Sequence, residues 1–178
     1  MLDFLKRRLP DNREIVLALS MAAFLVFTWS LRSFFYNVPA FLLSYSLGEI
    51  LAIAAYMLAF ALLETTIIML VMLALAVVLP GPLLRNGFSY KTAFLLLALG
   101  AVSIHLQFIM TNQPKINFLL FELGRGLAVW LAAILLTRYV AAIQKIVMDV
   151  LDRLTIFIYI YIPLGLLSLV VVLIRLVW

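Results

Sequence analysis

Five stretches of this chain run for about twenty residues or more with almost no charge, the length at which an α-helix crosses the hydrocarbon of a bilayer. They cover 15–36, 47–79, 91–110, 117–142 and 154–178. Within each, the apolar residues are continuous rather than alternating, which disfavours strands and a membrane barrel. Of the 178 residues, 67% are hydrophobic and 12% charged. A soluble fold of this size has too little interior to hide so much apolar surface. The same balance excludes disorder, which needs low hydrophobicity and high charge. The expectation is an all-α, polytopic membrane helical bundle: one domain over 1–178, with five transmembrane helices and the lipid bilayer as solvent.

Positive residues gather on the cytoplasmic side of membrane proteins. Lys6, Arg7, Arg8, Arg13, Arg85, Lys91, Arg138, Lys145 and Arg153 fall on the side of the N-terminus, nine of the thirteen. Arg32, Lys115, Arg125 and Arg175 fall on the other side or within helices. This places the N-terminus inside and the C-terminus outside, in a plasma or inner membrane. The net charge of +5 is scattered between apolar runs, so it reads as a topology signal and not as a nucleic-acid surface. The first apolar run is too long for the core of a cleaved signal peptide.

Three segments read as interfacial. Residues 1–9 alternate Leu2, Phe4, Leu5 and Leu9 with Lys6, Arg7 and Arg8, an amphipathic piece for anionic headgroups. Pro10 ends it, and Asp11 with Glu14 has the spacing of a capping box. Residues 37–46 follow Phe34, Phe35 and Tyr36 and hold Asn37, Pro39, Phe41 and Tyr45; such aromatic residues favour the outer headgroup level. In 143–153, apolar Ile143, Ile146, Val147, Val150 and Leu151, with Leu154 beyond, recur at helical spacing. Lys145, Asp149 and Arg153 sit four apart on the other face, as i,i+4 pairs require. The second apolar run would make a helix of roughly 50 Å against about 30 Å of hydrocarbon, so it must tilt, project or break. Pro80-Gly81-Pro82 ends it, and Pro163 with Gly165 predicts a kink in the fifth helix.

There is no cysteine and one histidine, His105. Disulfides, thiolate metal sites and multi-histidine centres are excluded, and no glycine-rich phosphate loop is present. No catalytic constellation, metal or cofactor is expected. Chemistry must come from ionisable residues inside the membrane, which are costly and therefore functional candidates. Glu64 falls near the middle of the second run. His105, Arg125 and Glu122 fall in the outer halves of the third and fourth, with Glu122 one turn from Arg125. Ser103, Gln107, Thr65 and Thr66 would complete a polar patch. The patch has three readings: ion pairs that hold helices together, a charge awaiting a helix of another subunit, or a path for protons, ions or substrate. Arg32 and Glu49 lie nearer the outer surface.

Gly124, Ala128 and Ala132 recur every four residues, as do Ala55 and Ala59. Small residues so spaced let helix backbones approach closely, within a chain or between chains. The run Asp152–Thr155, the following Ile158–Leu164 and the stretch Val171–Arg175 resemble the last membrane helix before the catalytic domain in sulfatase-like membrane proteins of the alkaline phosphatase superfamily. That resemblance implies the membrane region alone, since none of the family's metal or nucleophile residues has a place here. The expected function is a non-catalytic membrane subunit or anchor, with other membrane subunits or further copies of itself as partners. A small transporter or proton-conducting component is the first alternative. A lipid-handling enzyme near Arg32, Glu49 and the aromatic segment is the second.

Overall fold

The computed structural model describes residues 9–109 and 116–177. Among them are six helices and no strand: α1 Asn12–Ser44, α2 Leu47–Val78, α3 Phe88–Ile109, α4 Ile116–Tyr139, α5 Ala141–Leu154 and α6 Ile156–Val177. All but α5 are long and apolar enough to cross a membrane, which makes five such helices. The segment expected over residues 1–9, apart from Leu9, lies outside the described residues, as do Lys115 and Trp178.

Two boundaries differ from expectation in an informative way. α1 does not stop near Tyr36 to release an interfacial loop; it runs 33 residues, through Pro39. A proline removes one backbone donor and crowds the preceding turn. Here the Asn37 side-chain amide donates to the Ser33 carbonyl at 2.7 Å. Phe34 and Phe41 lie 6.0 Å apart by ring centroid, and Phe41 and Tyr45 likewise, a ladder of rings at helical spacing that braces the turns around Pro39. α6 likewise continues through Pro163. The capping box expected at Asp11 is also replaced. The Asp11 carboxylate accepts from the adjacent Asn12 amide at 2.9 Å, its backbone carbonyl accepts from the Ile15 amide at 3.0 Å, and Glu14 serves a different helix, as described below. The remaining ends move by a few residues: α3 starts at Phe88 instead of Lys91, and α4 ends at Tyr139 instead of Ala142.

The chain divides into two compact units. One comprises Leu19–Leu75 with Arg153 onward. Its core is Ala23 and Phe27 of α1 against Leu58 and Ala61 of α2, with Tyr161 of α6 packed on them. Phe27 and Tyr161 stack at 4.9 Å, and Phe24 meets Phe157 at 5.0 Å; such pairs contribute about 0.5–1.5 kcal/mol each beyond area burial. Gly165 sets the approach of α6: a Cβ there would lie 2.9 Å from Leu62 Cβ and 3.1 Å from Phe27 Cζ. Lipid tails are as apolar as these side chains, so close packing rather than escape from water holds the helices.

The other unit comprises Ala76–Asp152 with the described residues up to Ala18. α3 and α4 pack on each other here. Gly126 of α4 faces Val102 of α3, where a Cβ would come within 2.7 Å of Val102 Cγ2. α5 buries Leu151, which is 1% exposed, and turns Ile146 and Val150 outward. The pairing expected among Lys145, Asp149 and Arg153 is absent among the described residues. The ion pair on this helix is instead Asp152 with Arg13 at 3.2 Å. Both groups are exposed, so it is worth at most about 1 kcal/mol.

Candidate functional site

The α3–α4 pair is tied by polar contacts at two levels. At one level, Glu122 of α4 is 2% exposed. Its Oε2 lies 3.0 Å from Arg125 Nη2, one turn along the same helix, and its Oε1 lies 3.8 Å from His105 Nε2 of α3. Arg125 and His105 are 51% and 42% exposed. The carboxylate is thus the buried member, with its cation reaching in from a half-exposed position. The charges cancel in place, as a buried ion must in low dielectric. Glu122 shares its face with Gly126 and Trp130, each four residues on, and all three are buried.

The second level was not anticipated. Trp130 Nε1 donates to the Lys91 carbonyl at 2.9 Å. The Lys91 ammonium is itself buried and donates to the Pro82 carbonyl at 2.6 Å. The start of α3 is capped from a distance: Glu14 of α1 accepts from the Phe88 amide at 3.2 Å, satisfying one of the donors every helix leaves open at its first turn. Gly87, at φ +77°, delivers the chain into that cap, and a Cβ there would run into the Tyr90 ring. A sequence signal did exist, since Glu14 and Lys91 are both ionisable residues beside apolar runs. From spacing alone Glu14 reads as a cap on its own helix, and Lys91 as a topology charge.

The other residues expected in the patch have local surroundings of their own. Ser103 and Thr66 donate to carbonyls four residues back, at 2.9 and 2.8 Å, as does Thr65 at 2.8 Å. Their hydroxyls are used within their own helices. Gln107 is exposed. Glu64 belongs to the other unit and stands on an exposed face of α2; among the described residues it makes no ion pair or hydrogen bond.

Arg32 and Glu49 have local explanations. The Arg32 guanidinium lies over the Trp29 ring, 5.3 Å from its centroid, a cation–π contact one turn apart. Glu49 Oε2 accepts from both the amide and the hydroxyl of Ser46, each at 2.8 Å. This is the glutamate's half of a capping box at the start of α2, and the Ser46-x-x-Glu49 spacing is visible in the sequence. Ser46→Ala, which removes one of the two bonds to the Glu49 carboxylate, should lower the unfolding midpoint in mixed micelles, and Glu49→Gln should shift it in the same direction.

The small residues divide. Ala55 and Ala59 are buried on the inner face of α2. Gly124, Ala128 and Ala132 are exposed on α4, and nothing lies within 4 Å of a Cβ built on Gly124. The close approach expected of them inside the chain is made by Gly126 instead, because the Glu122–Gly126–Trp130 face is the one α4 turns to α3.

No protein-family model, curated protein or solved structure matches the chain. What the fold and site define is therefore a class: an all-helical protein with five apolar helices of membrane-spanning length. Two of those helices are joined through a neutralised carboxylate.

Proposed function

We propose that this chain is a non-catalytic integral membrane subunit, or membrane anchor, of a larger assembly. The charge count favours an inner membrane, with the N-terminus on the cytoplasmic side. The observation that carries the reading is the outward face of α4. Gly124, Ala128 and Ala132 form an exposed strip with nothing against Gly124. Small residues gain little from lipid tails and much from a second helix backbone. The polar groups of the α3–α4 pair serve the fold: Arg125 and His105 are engaged with Glu122, which supports a structural role for that cluster.

Mild-detergent purification from the native membrane tests this. A stoichiometric membrane partner should accompany the chain, and Gly124→Leu combined with Ala128→Leu should release it while leaving the helical content intact. A lone chain, unaffected by these changes, would remove the proposal. Proton or solute flux above that of empty liposomes, lost in Glu64→Gln, would replace it with transport.

A further inference from the structure

α2 is two-faced. Leu58, Ala61, Thr65, Met69 and Met72 are each at most 8% exposed. On the opposite side, Phe60, Glu64, Ile67, Val71 and Ala74 are all exposed, with Phe60 at 59%, Ile67 at 51% and Val71 at 50%. Their numbers step by four, three, four and three. That alternation keeps a single stripe facing a partner helix in a left-handed pair. One member of the stripe is polar. Glu64 stands seventeen residues from the start of α2 and fourteen from its end, so roughly 20 Å or more of helix separates it from either terminus. A glutamate side chain is too short to carry its carboxyl to water from there, and lipid offers it no hydrogen bond.

A second copy of the same helix meets this need without any other residue. At a two-fold axis each residue meets its own counterpart. A carboxyl that holds its proton both donates and accepts, so two of them facing each other are self-complementary. The apolar positions on either side supply matching surface, and a single polar residue in such a seam fixes register and partner number. We propose that the exposed stripe of α2 forms a parallel homodimer contact centred on Glu64, with the two carboxyls hydrogen-bonded across the axis. This uses a different helix from the α4 strip and stands or falls separately from it.

The absence of cysteine makes the test direct. Purified chain carrying Ile67→Cys or Val71→Cys, reconstituted at low density in phosphatidylcholine liposomes, should form disulfide dimers on mild oxidation. Leu58→Cys and Met69→Cys, on the opposite face, should not. Without cysteine, Glu64→Gln should keep the dimer, because an amide also donates and accepts. Glu64→Leu should shift the equilibrium about tenfold toward monomer, the scale of a polar contact in lipid. Glu64 is exposed, so both variants should fold, which circular dichroism and micellar unfolding would check. Equal cross-linking from both faces, no cross-linking at Ile67 and Val71, or a Glu64→Leu dimer as strong as the parent would overturn the proposal. So would a Glu64→Gln chain as monomeric as Glu64→Leu, which would assign the carboxylate to a cation on another protein.

Discussion

Arg125→Gln should cost the protein about 3 kcal/mol of stability, and Glu122→Gln less than half as much. Removing one member of a buried ion pair is expensive because of the charge left behind, on the order of 3–5 kcal/mol when both groups are enclosed. Here only one is enclosed. Glu122 is 2% exposed, and Arg125 is 51% exposed. Without the guanidinium, the carboxylate stays in the α3–α4 contact with only His105, at 3.8 Å. Without the carboxylate, the half-exposed arginine extends its long stem toward the headgroups. Arg125 is only partly desolvated, which puts the cost at the lower end of that range. The double variant Glu122→Gln with Arg125→Gln should recover much of the loss, since it leaves no orphaned charge. Unfolding in mixed micelles gives all three values. Equal costs for the two single changes would contradict the one-sided burial of this pair.

Two glycines two residues apart should behave oppositely. Gly126→Leu drives a side chain into Val102, whose Cγ2 would lie 2.7 Å from the new Cβ. Valine is stiff at χ1 and cannot swing aside, so the helices must separate. Overpacking of this kind costs about 1–3 kcal/mol. Gly124→Leu meets nothing within 4 Å and replaces a poor helix former by a good one, so the isolated chain should be unchanged or slightly more stable. The unfolding midpoint of each variant against the parent decides. A Gly124 variant as damaged as the Gly126 variant would mean that α4 turns both faces inward.

The five apolar helices were legible because hydrocarbon demands an uninterrupted run, and each run leaves a plain mark in the sequence. The pairing of Glu122 with Arg125 was legible because residues three apart share a helix face. What could not be read was which face of each helix meets a neighbour. Gly124–Ala128–Ala132 and Glu122–Gly126–Trp130 repeat at the same spacing, and only the second holds α3. At Pro39 the difference is local: an asparagine, a proline and a crowd of aromatic rings are the usual marks of an interfacial loop, and here the rings meet tilted or edge-on along a helix instead. The cap at Glu49 is readable from its spacing to Ser46, whereas its depth alone places it among the outer-surface groups.

α1 and α2 have 33 and 32 residues and are joined by only Tyr45 and Ser46, so together they make a hairpin with arms of about 50 Å. The oily slab around them is about 30 Å deep. Such arms must lean steeply or stand proud of the slab, and their apolar flanks resist standing proud. The hairpin is therefore a gauge of acyl-chain length: longer lipids let it rise toward the vertical, and shorter ones press it flat. Its inclination, and with it the bearing of every residue along α2, would be set partly by the lipids around it.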